Sequence, residues 1–227
     1  MPKALIVVTS VSKYDKEPKA TGLWLGEAVH FYEKLVKAGR EVDFVSPLGG
    51  YTPIDPVSLS KDFMTEADWH YYADATFRHK IGATLKPSEV KTNDYQCIYY
   101  AGGHGVVWDF PENKEIQQIA ENIYNKGGFV SSVCHGAVGL FHIKDEKGET
   151  LIKGKEVTGF SNEEERMVGV EKLVPYLTED ELVKHGGRYV KAEKAFDAFA
   201  VADGRLITGQ NPASAGAVAE LVLKHSK

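Results

Sequence analysis

The stretch that most narrows the possible folds is Gly127-Gly128-Phe129-Val130-Ser131-Ser132-Val133-Cys134-His135-Gly136-Ala137-Val138. Phe129 to Val133 is a short, largely apolar run behind a glycine pair and reads as a buried strand. It stops at Cys134, and small residues from 136 to 140 open a helix at once. A residue at such a strand-to-helix corner sits on a sharp turn. Its side chain projects above the sheet and helix amides lie beneath it, as in a nucleophile elbow. Gly136 and Ala137 remove side chains that would crowd the corner. A helix N-terminus favours negative charge, so the Cys134 thiol is expected to ionise more readily than a free one. His135, next in sequence, must lean its ring aside to reach the sulfur, and an imidazole there can take up a proton.

The rest of the chain supplies a sheet for this corner. Residues 3–9 form a continuous apolar run of the kind buried on both faces, and residues 10–20 read as a loop. A helix over 23–38 carries Leu25, Val29, Tyr32 and Val36 on one face and ends at Gly39. Residues 41–46 form the second strand. This strand-helix-strand opening predicts a parallel sheet with right-handed crossovers. Residues 51–90 break the alternation and read as an insertion with helical pieces, a cap or partner surface too short for a core of its own. A strand at 95–101 containing Cys97, a helix at 113–126, the elbow and a short strand at 156–158 follow. Thr178 and Glu181 suggest a capping box for a helix over 178–185. Strands at 191–202 and 205–208 are joined through Asp203-Gly204, and a helix over 213–225 closes the chain. The expected organisation is one α/β domain over 1–227.

Net charge is −5 and no basic block is present, so nucleic acid is not expected as a partner. Two cysteines make no disulfide framework, and Cys97 reads as core. No run is long enough for a membrane span or signal peptide, so a cytoplasmic setting is expected. In open parallel sheets ligands bind beyond the carboxyl ends of the strands. That brings Gly102-Gly103-His104-Gly105 to Cys134, where the amides of Gly103, His104 and His135 can form an oxyanion hole. The other histidines lack metal-ligand spacing; His70 and His79 with a carboxylate are the one pairing considered, and no metal is expected.

Ser132-Val133-Cys134-His135-Gly136 resembles the elbow of the ThiJ/PfpI superfamily. Thr21-Gly22-Leu23-Trp24-Leu25-Gly26-Glu27-Ala28, Val42-Asp43-Phe44-Val45-Ser46-Pro47, Ala101-Gly102-Gly103-His104-Gly105 and Thr208-Gly209-Gln210-Asn211-Pro212-Ala213-Ser214 look like family segments in family order. The insertion and the segment at 157–165 are similar to the heat-shock chaperone-glyoxalase branch, which includes glutathione-independent glyoxalase III enzymes. The resemblance implies a flavodoxin-like three-layer sandwich around a mostly parallel sheet. It implies a cofactor-independent lyase that turns methylglyoxal into lactate through a hemithioacetal on Cys134. It also maps a carboxyl that bonds the sulfur onto Glu27, an acid that orients His135 onto Glu165, with Glu163 and Glu164 as adjacent competitors, and a homodimer. The same site suits amide or peptide hydrolysis and repair of glycated amines. A holdase chaperone that binds unfolded chains through Tyr51, Phe63, Trp69, Tyr71, Tyr72 and Phe77 is the reading from a different class.

Overall fold

The computed structural model describes residues 3–226. In chain order the elements are β1 (Lys3–Val7), α1 (Leu25–Lys37), β2 (Val42–Val45), α2 (Glu66–Ala73), α3 (Ala75–Gly82), β3 (Tyr95–Tyr100), α4 (Val106–Asp109), α5 (Lys114–Asn125) and β4 (Phe129–Val133). A run of 3-10 turns over Cys134–Leu140 follows, then β5 (Glu156–Val157), α6 (Asn162–Val168), α7 (Thr178–Lys184), β6 (Arg188–Tyr189), β7 (Ala200–Asp203), β8 (Leu206–Gly209) and α8 (Ala215–His225). The main sheet has the order β2-β1-β3-β4-β8-β7, with β5 and β6 in a small second sheet. Its first five strands are parallel, and β7 runs antiparallel to β8. This is a flavodoxin-like arrangement, in which the strand order reverses between β1 and β3.

Alternation along the strands divides the core between the two faces. Ala4, Ile6, Phe44, Tyr99, Val133 and Ile207 face α1 and α8, whereas Leu5, Val7, Val45, Ile98, Tyr100, Val130 and Leu206 face α5 and the turns after Cys134. On the first side, Phe31 stacks on Tyr99 at 3.8 Å between ring centroids. The Tyr99 hydroxyl then donates to the Glu27 carbonyl, 3.0 Å away. The sheet thus fixes the first turn of α1 in both position and rotation.

The segment 51–90 folds back on the body. Leu85 bridges to Val45, Thr84 to Gly50 and Ile54 to Leu23. Phe77 is fully buried against Tyr32 and Phe44. Tyr71 packs edge-on to Tyr32. These two rings therefore anchor the insertion, while Tyr51, Phe63, Trp69 and Tyr72 stay exposed.

Several local expectations are corrected. Val36 is exposed and Leu35 takes its place in the core, because the buried stripe of α1 drifts by one position over three turns. The expected strand over 191–202 is extended only at Ala200–Asp203. Thr178 does not cap α7: Leu177 is the N-cap residue and the Thr178 hydroxyl has no partner. Among the described residues no helix is long and apolar enough to cross a membrane.

Candidate active site

β4 ends at Val133, and Cys134 turns the chain with φ = 56°. A non-glycine residue in this left-handed region is strained, and such strain gathers at functional corners. Gly136, two residues on, lets the corner pack tightly against β3. A Cβ on Gly136 would lie 2.2 Å from the Tyr100 carbonyl oxygen. Phe160 ties the corner from outside by donating its amide to the Cys134 carbonyl at 3.3 Å.

Glu27, in the first turn of α1, is fully buried. Its Oε2 accepts from the Gly102 amide at 2.6 Å. Its Oε1 is buried without a hydrogen-bond partner among the described residues, and the Cys134 thiol and this carboxyl act on each other's ionisation. Burial pushes its pKa up to about 8, against a smaller opposite pull from the thiol and the amide. Glu27 is therefore a neutral acid at pH 7, able to donate a hydrogen bond.

The expectation of an easily ionised thiol is overturned. Cys134 is only 3% exposed. Burial, then the Glu27 carboxyl, raise the thiol well above its ordinary value, and the His135 amide offsets this only in part. The turns after Cys134 are of 3-10 type rather than the first turns of a long α-helix, so few amides converge on the sulfur.

His135 stands on the other side. Its Nδ1 is 3.4 Å from Cys134 Sγ and its Nε2 is 2.6 Å from Glu165 Oε2. His104 Nε2 contacts the other oxygen, Oε1, at 2.8 Å. Burial alone would raise Glu165, but the His135 and His104 rings outweigh it and hold the carboxyl well below the usual range. With Glu165 ionised, both rings donate their Nε2–H to it. The neutral tautomer of His135 that donates in this way presents an unprotonated Nδ1 to the sulfur. Burial, followed by the neighbouring His135, lowers His104 and favours its neutral form. The three ligating atoms of His104, His135 and Glu165 lie within 4.8 Å of one another. They could hold a divalent cation, at the expense of both hydrogen bonds and of the base beside Cys134. His70 and His79 belong to no such group.

The three consecutive glutamates have separate positions. Glu163 is exposed. Glu164 forms the capping box of α6 with Ser161: its amide donates to Ser161 Oγ, and its Oε2 accepts from the Ser161 amide and hydroxyl. Its Oε1 accepts from the Phe196 amide, Gln210 Nε2 and Asn211 Nδ2. Glu165, one step round the helix, meets the two histidines. The Ser161-x-x-Glu164 spacing is the signal that locates this helix start and so separates the three.

A cavity of about 470 Å³ opens over Cys134, and Gly103, His104 and His135 line it with Trp24, Phe63, Phe160 and Phe196. A Cβ on Gly103 (φ = 100°) would meet the Gly22 carbonyl oxygen at 2.2 Å, so this close approach needs glycine. Cys97 lies elsewhere, buried in β3 against Ser131, its thiol pushed up to about 12 by burial.

The family model described as DJ-1/PfpI matches residues 21–225, nearly the whole chain. The chain belongs to the DJ-1/PfpI family. Within that family it is 36% identical to glutathione-independent glyoxalase HSP31 of Saccharomyces cerevisiae, over 96% of this chain and 94% of the relative. It is 36% identical to Glyoxalase 3 of Candida albicans, over 98% of each. A solved glyoxalase III from Candida albicans superposes with a TM-score of 0.91 at 35% identity, covering 99% of this chain and 97% of that one. A rapid encystment protein of Francisella tularensis superposes at 0.93 with 36% identity, covering 99% of both chains.

Proposed function

We propose that this DJ-1/PfpI protein is a glutathione-independent glyoxalase, a lyase that converts methylglyoxal and similar 2-oxoaldehydes to 2-hydroxy acids such as lactate. The observation that carries the reading is the pair of groups flanking Cys134: a buried neutral acid, Glu27, on one side and a Glu165-backed base, His135, on the other. A shift of hydrogen between adjacent carbons needs a base to carry the carbon-bound proton and an acid to protonate the neighbouring carbonyl oxygen, and this site holds one group for each.

Cys134 Sγ adds to the aldehyde carbon C1 as His135 Nδ1 takes the thiol proton and passes it to the aldehyde oxygen. The product is a neutral hemithioacetal. Amides at Gly103, His104 and His135 stabilise the oxygen while it carries charge. His135 then removes the proton on C1 as Glu27 protonates the C2 carbonyl oxygen, giving an enediol. His135 returns its proton to C2, and the C1 hydroxyl returns one to Glu27 as C1 becomes a thioester carbonyl. Water, with His135 as base, cleaves the thioester to the 2-hydroxy acid and frees the thiol. Glu165 holds the His135 ring and stabilises its protonated form. Each step uses this chain's side chains and water.

The test is methylglyoxal consumption and lactate formation by wild type and Cys134→Ala without glutathione. Loss of both in the variant is expected; equal activity in the two proteins sinks the proposal. A second reading rests on the exposed Tyr51, Trp69 and Tyr72 of the insertion, a surface that could hold unfolded chains. Aggregation suppression unchanged in Cys134→Ser would support it.

A further inference from the structure

We propose that the preferred substrates are neutral 2-oxoaldehydes with a bulky apolar substituent, aryl or branched alkyl, and that Phe196 is the residue that selects them. This rests on the glyoxalase reading above. Methylglyoxal has about five non-hydrogen atoms, each taking at most the ~30 Å³ share of a liquid water. The cavity over Cys134 measures about 470 Å³, so most of it is left for a substituent. Apart from Asn211 and Ala213, that remaining wall is Trp24, Phe63, Phe160, Val168, Phe196 and Pro212. Among the described residues no lysine, arginine or carboxylate lines the cavity. Water in such a space finds few partners, and an apolar group gains by displacing it. A carboxylate on the substrate would meet no cation.

Phe196 supplies an independent observation. Its φ is 66°, and only Cys134 shares that left-handed region among the described non-glycine residues. A bulky residue there persists only where its surroundings impose it. The imposing contact is the Phe196 amide donating to Glu164 Oε1 at 2.8 Å. Asn211, which donates to the same oxygen at 2.9 Å, also donates to the Asp197 carbonyl at 2.8 Å. The ring is 40% exposed, so its own burial does not account for the strain. It stands 6.3 Å from Phe160, whose ring is 4.5 Å from His135. These three rings run from the rim of the cavity to the base beside the sulfur, along the path a substituent on C2 would follow.

The experiment compares kcat/KM for methylglyoxal, isobutylglyoxal and phenylglyoxal in wild type and Phe196→Gly, with Cys134→Ala as the blank. Wild type is expected to favour the two larger substrates at least tenfold, mainly through KM. Glycine relieves the backbone strain while removing the ring, so that preference should shrink by the ~10-fold or more that an apolar contact of this size confers. Acetophenone should inhibit wild-type methylglyoxal turnover competitively and benzoate should not, a measurement that needs no variant. Methylglyoxal turned over as well as or better than the larger aldehydes would overturn the selectivity and leave the glyoxalase reading standing. So would equal inhibition by acetophenone and benzoate. No turnover of any of the three would remove both.

Discussion

Glu27 and Cys134 share a dry volume in which two negative charges cannot be accommodated together. In the proposed mechanism Glu27 is therefore protonated and the thiol is activated only as His135 accepts its proton. Turnover is expected to hold up to about pH 7 and decline through about 8 as Glu27 ionises, measured as kcat against pH. Glu27→Gln keeps a hydrogen-bond donor but cannot cycle a proton. Its turnover should fall by roughly a hundred- to ten-thousand-fold, the decline near pH 8 should vanish, and a covalent methylglyoxal adduct should accumulate in intact mass spectra. Near wild-type turnover in this variant would remove Glu27 from the mechanism. Glu165→Gln leaves His135 without its charged partner, and a loss on the order of 10² to 10⁴ in kcat is expected; a change confined to KM would argue against a role for the ring. Cys134 was legible from its corner position, but its ionisation was not. The helix-terminus argument concerns the few residues after the thiol, whereas burial and Glu27 reach it from a segment about a hundred positions away.

At the level of single elements, the elbow depends on contacts that admit no side chain. Gly136→Ala would drive a Cβ into the Tyr100 carbonyl. The expected cost is about 1–3 kcal/mol, read as a lower midpoint in urea unfolding; an unchanged midpoint would show that the corner can relax. The N-terminus of α6 depends on Glu164 and its capping box. The buried strands β1, β3, β4 and β8 and the amphipathic α1 and α5 could be read from apolar runs and periodicity. The stretch 191–199 could not. It is expected as a strand leading to the Asp203-Gly204 turn, but Glu164, Gln210 and Asn211 bond its backbone at Phe196, Ala192 and Asp197 and hold it in an irregular course. Thr178 and Glu181 had the spacing of a capping box, while boxes form instead at Thr65 with Asp68 and at Ser161 with Glu164. Spacing alone does not tell which serine or threonine is free to turn its hydroxyl back on its own helix.

For the molecule as a whole, two buried carboxyls with raised pKa values weaken the fold as pH rises from about 4 to 8. Burial raises Glu27 from 4.5 to about 8 and Asp109 from 3.8 to about 7. The Asp109 carboxyl lies under Thr9 and Ser10, with Oδ1 buried although the residue as a whole is half-buried. Both groups stay protonated in the fold at pH values where the unfolded chain has ionised them. Their contribution is thus complete below about pH 4 and is lost as pH rises through 7 and 8, on the order of a few kcal/mol each. Thermal midpoints should fall between pH 5 and pH 8, and the fall should be smaller in Glu27→Gln and in Asp109→Asn. Equal slopes in all three proteins would count against the assignment. The strand order carries one more consequence, for synthesis. β4 is made long before β8, the strand that pairs with its outer edge. Until residues 206–209 leave the ribosome, a nascent chain holds Phe129–Val133 with one row of backbone groups unpaired beside Cys134, an open edge on which another chain can add. The interval between those two strands is when this protein most needs help to stay apart from its neighbours.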